Sequence, residues 1–280
     1  DGSRMIAKGQ INYYRIQYAA ISDLETDGKI TAVDGGIRVD GASYAVVRFC
    51  TDTNLDLRPE VFLEDDPAKK LIYRDMEPEI TAMADHAAAV SYDELRSRHI
   101  ADYRTIYSRA EFELDSPDDV YEAETTELIR RYLAGEKIPY LEMVYFQFGR
   151  YLLISCSRPG CMPANLQGVW NNSNSPAWSC DYHLNVNLQM CYWHAYVTGL
   201  FGAAKPMIRY MESLREPGRV TARCYHNIVS DEKNPENGWV CHTQNTPFGW
   251  TCPGWDFYWG WSPAASSWMM QNCFDYYAFT

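Results

Sequence analysis

The stretch DYHLNVNLQMCYW, residues 181–193, decides how the centre of this chain is built, because polar and apolar side chains alternate over its first half. The polar positions are His183, Asn185 and Asn187, separated by a leucine and a valine. Alternate residues share a face on an extended segment, whereas residues two apart on a helix point in nearly opposite directions. Helical spacing begins only at Leu188. We therefore predict an extended segment that leads into a helix, with the three polar side chains directed at one spot.

This polar row has two chemical interpretations. It can bind a water molecule or the hydroxyl groups of a sugar, because an asparagine side chain both donates and accepts hydrogen bonds. Alternatively, the segment is a loop whose side chains satisfy only its own backbone. The row alone does not decide between the two.

Two long segments flanking the row combine proline, glycine and asparagine with tryptophan. Residues 157–183 contain Trp170 and Trp178, and residues 237–263 contain His242 and five tryptophans. Loops of this length are usually functional or disordered, and tryptophan argues against disorder. Indole rings stack on the C–H face of a pyranose while amides and imidazoles bind its hydroxyls, so the loops predict a sugar site. The alternative is that the tryptophans fill space between helices.

Composition excludes several classes of partner. The chain has 280 residues, 46% of them hydrophobic, with 25 Lys and Arg against 37 Asp and Glu and a net charge of −12. Nucleic acids and anionic membranes both require basic patches, so we expect neither as a partner. No apolar run reaches the length of a membrane-spanning helix.

The cysteines and histidines predict neither a metal site nor a disulfide framework. The nine cysteines are scattered without a CxxC pair, which favours free thiols that pack as small hydrophobic residues. The six histidines show no metal-ligand spacing. We expect no metal and no organic cofactor. Both a bacterial cytoplasmic location and a secreted or cell-surface one remain open.

Local patterns divide the chain into a β part followed by helices. Residues 1–66 alternate in short runs broken by DGK, DGG and DGA, which are hairpin signals. Residues 67–112 turn helical, with Ser91 as a predicted N-cap. Residues 113–280 predict further helices, one of which should end at the Pro217–Gly218 pair. Another should bury the face that carries Leu141, Val144, Phe148 and Leu152.

Four segments, in order, resemble glycoside hydrolase family 95, the inverting α-L-fucosidases, some members of which act on α-L-galactosides. They are SYDELRSRHIADYRTIYSR at 91–109, YFQFGRYLLISCSRPGCMPANLQGVWN at 145–171, DYHLNVNLQMCYWHAYVTGL at 181–200, and GWVCHTQNTPFGWT with WGWSPAASSWM between 238 and 269. The resemblance is weak over the β part and strong from Tyr145 onward.

The resemblance implies a multidomain α and β architecture. Residues 1–66 would be the end of an antiparallel β domain, residues 67–112 a helical linker, and residues 113–280 the first part of an (α/α)6 barrel. Too few residues follow Tyr140 for twelve helices, so we expect an incomplete barrel and a chain truncated before the family's catalytic base. An open barrel exposes helix faces, which predicts self-association or pairing with the missing C-terminal part of the same protein.

The resemblance also implies roles for individual residues. Asn185 and Asn187 would orient the attacking water together with a carboxylate, and His183 would contact the sugar. Asp275, in the sequence FDYY, stands where the family usually has a glutamate and is our candidate general acid, with Asp181, Asp256 and residues beyond the chain as rivals. The predicted substrate-binding residues are His183, Gln167, Trp170, Trp193, Trp239, His242, Trp250 and Trp255.

The predicted function is the removal of terminal α-linked L-fucose, α-1,2-linked, from a fucosylated oligosaccharide or glycan by an inverting mechanism. The alternatives are an α-L-galactosidase of the same family and a non-catalytic glycan-binding or decayed homologue. Another (α/α)6 enzyme, such as a disaccharide phosphorylase, is a weaker alternative, because the sequence shows no anion-binding signature.

Overall fold

The computed structural model describes residues 2–12, 15–56, 64, 66, 69, 72–254 and 256–280. The chain divides into two compact units, Asp1–Ala101 and Asp102–Thr280. The division falls inside the helix Tyr92–Tyr107. The domain boundaries predicted from the sequence at residues 66 and 112 stay predictions.

The first unit is an antiparallel β region with one helix. Its elements are β1 (Arg4–Gln10), β2 (Gln17–Thr26), β3 (Lys29–Val33), β4 (Gly36–Asp40), β5 (Ala45–Thr53), β6 (Leu55–Asp56), β7 (Ile72–Tyr73) and α1 (Glu77–Ala88). The strands β1, β2 and β5 form one sheet in the order β1-β2-β5. Of the three predicted hairpin signals, DGG is confirmed, because Asp34–Gly35 joins the paired strands β3 and β4, with Gly35 at φ 72°. Positive φ at this turn favours glycine. DGK and DGA lie between β2 and β3 and between β4 and β5, which do not pair with each other among the described residues, so these two signals mark bends and not hairpins.

Alternation along β2 explains why the sheet has one covered face. Ala19 and Ile21 are buried with Cys50 of β5, and they pack against Ile80 and Ala84 of α1. Successive strand residues point to opposite faces, so only every second residue reaches the helix.

The second unit is mostly helical. Helix α2 (Tyr92–Tyr107) spans the division, and the unit then contains a 3-10 helix (Asp118–Val120), α3 (Thr125–Leu133), α4 (Pro139–Cys156), a 3-10 helix (Ala177–Cys180), β8 (Tyr182–His183), α5 (Asn187–Trp193), α6 (Phe201–Ser213), α7 (Arg215–His226), β9 (Gln244–Asn245), α8 (Phe257–Gly260) and α9 (Ala265–Phe279). The predicted cap is confirmed, because Ser91 Oγ accepts a hydrogen bond from the Glu94 N–H at 3.2 Å. A small antiparallel sheet region followed by helices is the coarse order that the sequence predicted.

The core of the second unit joins α4, α5, α6 and α9. Its fully buried apolar side chains are Leu184, Tyr192, Leu200, Met207, Leu214 and Met269. The Tyr192 hydroxyl lies 2.7 Å from Ser157 Oγ and accepts a hydrogen bond from the Ala164 N–H at 2.9 Å. This buried polar contact fixes the loop after α4 to α5, because a buried hydroxyl left without a partner is costly.

Two helix predictions were wrong in detail. The break predicted at Pro217–Gly218 occurs at Leu214, and Pro217 lies in the first turn of α7. Proline is tolerated there, because the N–H groups of a first turn have no intrahelical partner. Helix α4 buries Arg150 and Leu153 rather than Phe148, which is 51% exposed.

Arg150 is drawn into the interior by backbone oxygens. Its guanidinium donates to the carbonyls of Tyr107 at 2.8 Å and Ala110 at 3.1 Å, and to Gln147 Oε1 at 2.9 Å. These acceptors offset the cost of burying the charge, which a hydrophobic pattern cannot anticipate.

All nine cysteines are free thiols; Cys50, Cys156 and Cys241 are buried, whereas Cys161 and Cys224 are exposed and do not pack as small hydrophobic residues. The described helices include none that is both long and apolar enough to span a bilayer. Across the described ranges, no three His, Cys, Asp or Glu side chains form a group that could hold a metal ion. Aromatic side chains are exposed on α4 and α9, notably Tyr145 (79%) and Tyr277 (78%). A single chain does not test self-association, which stays a prediction.

Candidate functional site

The polar row lies at a junction between a short strand and a helix. Tyr182 and His183 form the short strand β8, residues 184–186 form a turn, and α5 begins at Asn187. The predicted passage from an extended segment into a helix is confirmed, but the row is not one continuous strand face. Two buried hydrogen bonds of the Leu184 backbone stabilise the turn. The Leu184 N–H donates to the Thr243 carbonyl at 2.7 Å, and the Leu184 carbonyl accepts from Gln189 Nε2 at 2.7 Å.

The two asparagines present their amides outward. Asn185 and Asn187 are exposed, and neither side chain has a hydrogen-bond partner within the part of the chain that the structure describes. This disfavours the interpretation in which the row satisfies only its own backbone. The amides are therefore free to bind a water molecule or a hydroxyl group.

A two-residue ladder joins the two tryptophan-bearing loops beside this junction. Strands β8 and β9 pair antiparallel, with His183 opposite Gln244 and Tyr182 opposite Asn245. His183 is half-buried, and its Nδ1 contacts Asp181 Oδ1. Gln244 was not among the predicted site residues. Its pairing with His183 depends on a contact across 61 positions, which no local pattern reveals.

The first loop is folded around Asn165. Its Oδ1 accepts from the Gln167 N–H at 2.8 Å and from Cys180 Sγ at 3.1 Å. The Trp170 N–H donates to the Gln167 carbonyl at 3.1 Å, and the Trp170 ring lies over Gly168, where a Cβ would be 2.6 Å from the ring. The loop therefore holds Gln167 and Trp170 at the surface in a defined conformation.

The second loop is organised by a cluster of three rings. His242 is fully buried and lies against both His226 and Trp261, with ring centroids 5.3 Å and 4.7 Å away, and the His226 and Trp261 centroids are themselves 4.9 Å apart, so the three rings form a mutual cluster. Its Nδ1 accepts from the Ser262 N–H at 3.0 Å, and its Nε2 lies 3.2 Å from His226 Nε2. Because protein groups face both nitrogens, His242 supports the loop and is not available as the predicted sugar contact.

Burial makes the stability of this loop sensitive to acid. Desolvation, with a smaller contribution from His226, lowers the pKa of His242 to about 4. The unfolded chain binds a proton near pH 6.5 while the folded chain does not, so stability is complete above pH 6.5 and falls towards pH 4. We expect a loss of about 3 kcal/mol in the free energy of unfolding across this window, measurable by urea titration at each pH.

A matched variant isolates the contribution of this histidine. In His242→Gln, the amide oxygen can still accept the Ser262 N–H, but the side chain does not titrate. Its unfolding free energy should depend less on pH between 6.5 and 4 than that of the wild type. Equal slopes in the two proteins would show that another group causes the acid sensitivity.

The predicted tryptophans fall into different environments. Trp170, Trp193 and Trp250 are 45%, 51% and 43% exposed. Trp239 is half-buried and packs against the core, which agrees with the space-filling alternative. Trp255 lies outside the described residues.

Two tryptophans outside the predicted substrate-binding set are more exposed than any within its described part. Trp178 and Trp259 are each 75% exposed, and they lie in the first and second loop respectively. The available signal was the tryptophan content of the loops, which does not reveal which rings face solvent.

Two of the carboxylates proposed as general acids lie on different elements. Asp256 caps α8, where its Oδ1 accepts from the Tyr258 N–H at 3.1 Å. Asp275 is exposed on α9 and lines a shallow groove with Gln271 and Phe274. Among the described residues, no hydrogen bond or ion pair joins Asp275 to the asparagines.

Comparison with known proteins identifies relatives. The family model described as "Glycosyl hydrolase family 95 catalytic domain" matches residues 91–280. "Probable alpha-fucosidase A" of Aspergillus niger is 37% identical over 198 residues, which cover 70% of this chain and 24% of that protein. "Alpha-L-fucosidase 2" of Arabidopsis thaliana is 31% identical over 274 residues, which cover 95% of this chain and 30% of that protein. The chain thus spans about a quarter to a third of the length of these two curated relatives.

Proposed function

The chain belongs to glycosyl hydrolase family 95, and from this premise we propose that the protein containing it removes terminal α-linked L-fucose from glycans. We further propose an α-1,2 linkage and inversion at the anomeric carbon. The two relatives described above are both named as α-fucosidases, which supports fucose as the sugar. We also propose that the helices of the second unit belong to an (α/α)6 barrel.

The observation that carries this proposal is the strand–turn–helix junction. Asn185 and Asn187 expose amides that have no hydrogen-bond partner among the described residues, next to the half-buried His183. The β8–β9 ladder joins this junction to both tryptophan-bearing loops. Amides, an imidazole and indole rings are the groups that bind a pyranose and a water molecule beside it.

The proposed chemistry assigns a limited role to the asparagines. Inverting hydrolysis needs an acid on the leaving oxygen and a base-activated water on the opposite face, with the two carboxyl groups roughly 6.5–9.5 Å apart. An amide cannot take a proton at neutral pH, but it can orient both the water and the carboxylate that accepts its proton. We assign water orientation to Asn185 and Asn187 and retain Asp275 as the candidate acid. We assign no residue as the base.

The proposed sugar contacts are His183 and the exposed members of the predicted set, together with the two tryptophans that the set omitted. The exposed members are Gln167 and Trp170 in the first loop, Trp193 on α5 and Trp250 in the second loop. The additional candidates are Trp178 and Trp259, whose exposed indole faces suit stacking on a sugar ring.

The direct test uses the longest polypeptide that the gene encodes and a 2′-fucosylated lactose, with the products followed by NMR. We expect free fucose that appears first as the β-anomer and then equilibrates. First appearance of the α-anomer would refute inversion, and release only from an α-L-galactoside would change the sugar. Tryptophan fluorescence quenching without release would indicate a glycan-binding protein.

A further inference from the structure

Asp181 and His183 form an isolated pair at the candidate site. Asp181 Oδ1 contacts His183 Nδ1, and each side chain is 14% exposed. These two atoms have no other polar partner among the described residues. Neither atom makes a regular hydrogen bond among those residues, so the ion-pair contact between them is the one close polar contact that each makes, and it places a carboxylate beside an imidazole nitrogen.

The chain reaches this arrangement through an unusual backbone. Trp178, Ser179 and Cys180 have φ values of 49°, 55° and 53°, so three consecutive non-glycine residues precede Asp181 in the left-handed region. Each such residue costs on the order of 1 kcal/mol, and strain of this kind persists only where surrounding contacts determine it.

The contacts that hold this turn come from the first loop. The Asp181 carbonyl accepts from the Leu166 N–H at 3.2 Å, and Cys180 Sγ donates to Asn165 Oδ1 at 3.1 Å. On the other side, the pairing of His183 with Gln244 restrains the backbone of the histidine. Both members of the pair are thus fixed by contacts outside the pair.

We propose that Asp181 is a positioning residue that holds His183 in its Nδ1–H tautomer. A carboxylate accepts a hydrogen bond from Nδ1–H, which leaves Nε2 of the neutral ring unprotonated. Nε2 then accepts a hydrogen bond from a substrate hydroxyl rather than donating one. This inference rests on the proposed function and removes Asp181 from the candidates for the general acid.

The first experiment does not depend on activity. Nitrogen-15 NMR of the imidazole at pH 8, in the longest polypeptide that the gene encodes, should show a protonated Nδ1 and an unprotonated Nε2 for His183. In Asp181→Asn this preference should be lost. A wild-type His183 with protonated Nε2 would overturn the proposal whether or not the protein releases fucose.

The second experiment measures the effect on turnover. Asp181→Asn should lower kcat/KM for the fucosylated substrate about 10- to 100-fold, by analogy with the loss of a group that orients a metal-bound histidine. Asp181→Glu, which restores a carboxylate, should recover part of the loss. A wild-type rate in Asp181→Asn would overturn the proposal while leaving the proposed function intact.

A matched control removes one carboxylate elsewhere in the same unit. Asp231 Oδ1 accepts from the Lys233 and Asn234 N–H groups at 2.9 Å and 2.7 Å in an exposed turn. Asp231→Asn should leave both the His183 tautomer and kcat/KM unchanged. An equal loss of kcat/KM in both variants would show an effect of net charge and would overturn the positioning role.

Discussion

Alanine at Asn185 or Asn187 is expected to lower kcat about 100-fold or more, with a much smaller change in KM. The amides are proposed to orient the attacking water, which matters in the transition state more than in the bound ground state. Misplacing a reacting atom by about 1 Å can cost on the order of 100-fold in rate. The measurement is initial-rate kinetics with the 2′-fucosylated substrate.

These substitutions should separate catalysis from folding. Both side chains are exposed and have no hydrogen-bond partner in the described part of the chain, so their removal should leave the unfolding midpoint unchanged. Asn171→Ala is the control, because in the described part of the chain the Asn171 side chain bonds only its near neighbour: its amide donates to the Ser173 carbonyl at 2.8 Å, and its Oδ1 accepts from the Ser173 N–H at 3.0 Å. Full activity in the alanine variants at 185 and 187 would show that the assigned role is wrong.

The short sequence pattern around residue 183 predicted two features of the local structure. Alternation predicted the extended entry, and helical spacing predicted the helix that follows. It could not predict that the strand is only two residues long, because its limit is set by pairing with Gln244. Burial of Leu184 then turns the chain inward before Asn185.

The second loop shows why residue type does not predict individual contacts. Tryptophan and histidine in a polar segment predicted an ordered loop that binds a sugar. Whether a ring meets solvent or core depends on long-range neighbours. His242 is enclosed by His226 of α7, whereas Trp259 is exposed. The partner on α7 could not be identified from the loop sequence.

Replacing Gly260 by alanine is expected to be the most destabilising substitution in the second loop. A Cβ at Gly260 would lie 1.5 Å from the Pro253 carbonyl oxygen and 2.6 Å from its carbon. Both atoms belong to the backbone, so no change of rotamer relieves the overlap. We expect the free energy of unfolding to fall by about 4 kcal/mol or more, or the loop to rearrange. Urea unfolding followed by tryptophan fluorescence would measure this.

The same substitution should also impair the proposed sugar binding, because Gly260 contacts the segment that leads into β9 at the strand–turn–helix junction. The Gly260 carbonyl accepts a hydrogen bond from the Thr243 N–H at 3.4 Å. Thr243 follows His242 and directly precedes β9, the strand that pairs with His183. Gly149→Ala is the control, since the position is inside α4 and a Cβ there would meet no heavy atom of another element within 4 Å among the described residues. That change should stabilise the protein by about 0.5–1 kcal/mol through helix propensity. Equal stability of the two alanine variants would contradict the close approach of Gly260 to Pro253. This approach could then not be what holds the second loop beside the strand–turn–helix junction, and the proposed link between Gly260 and sugar binding would fail.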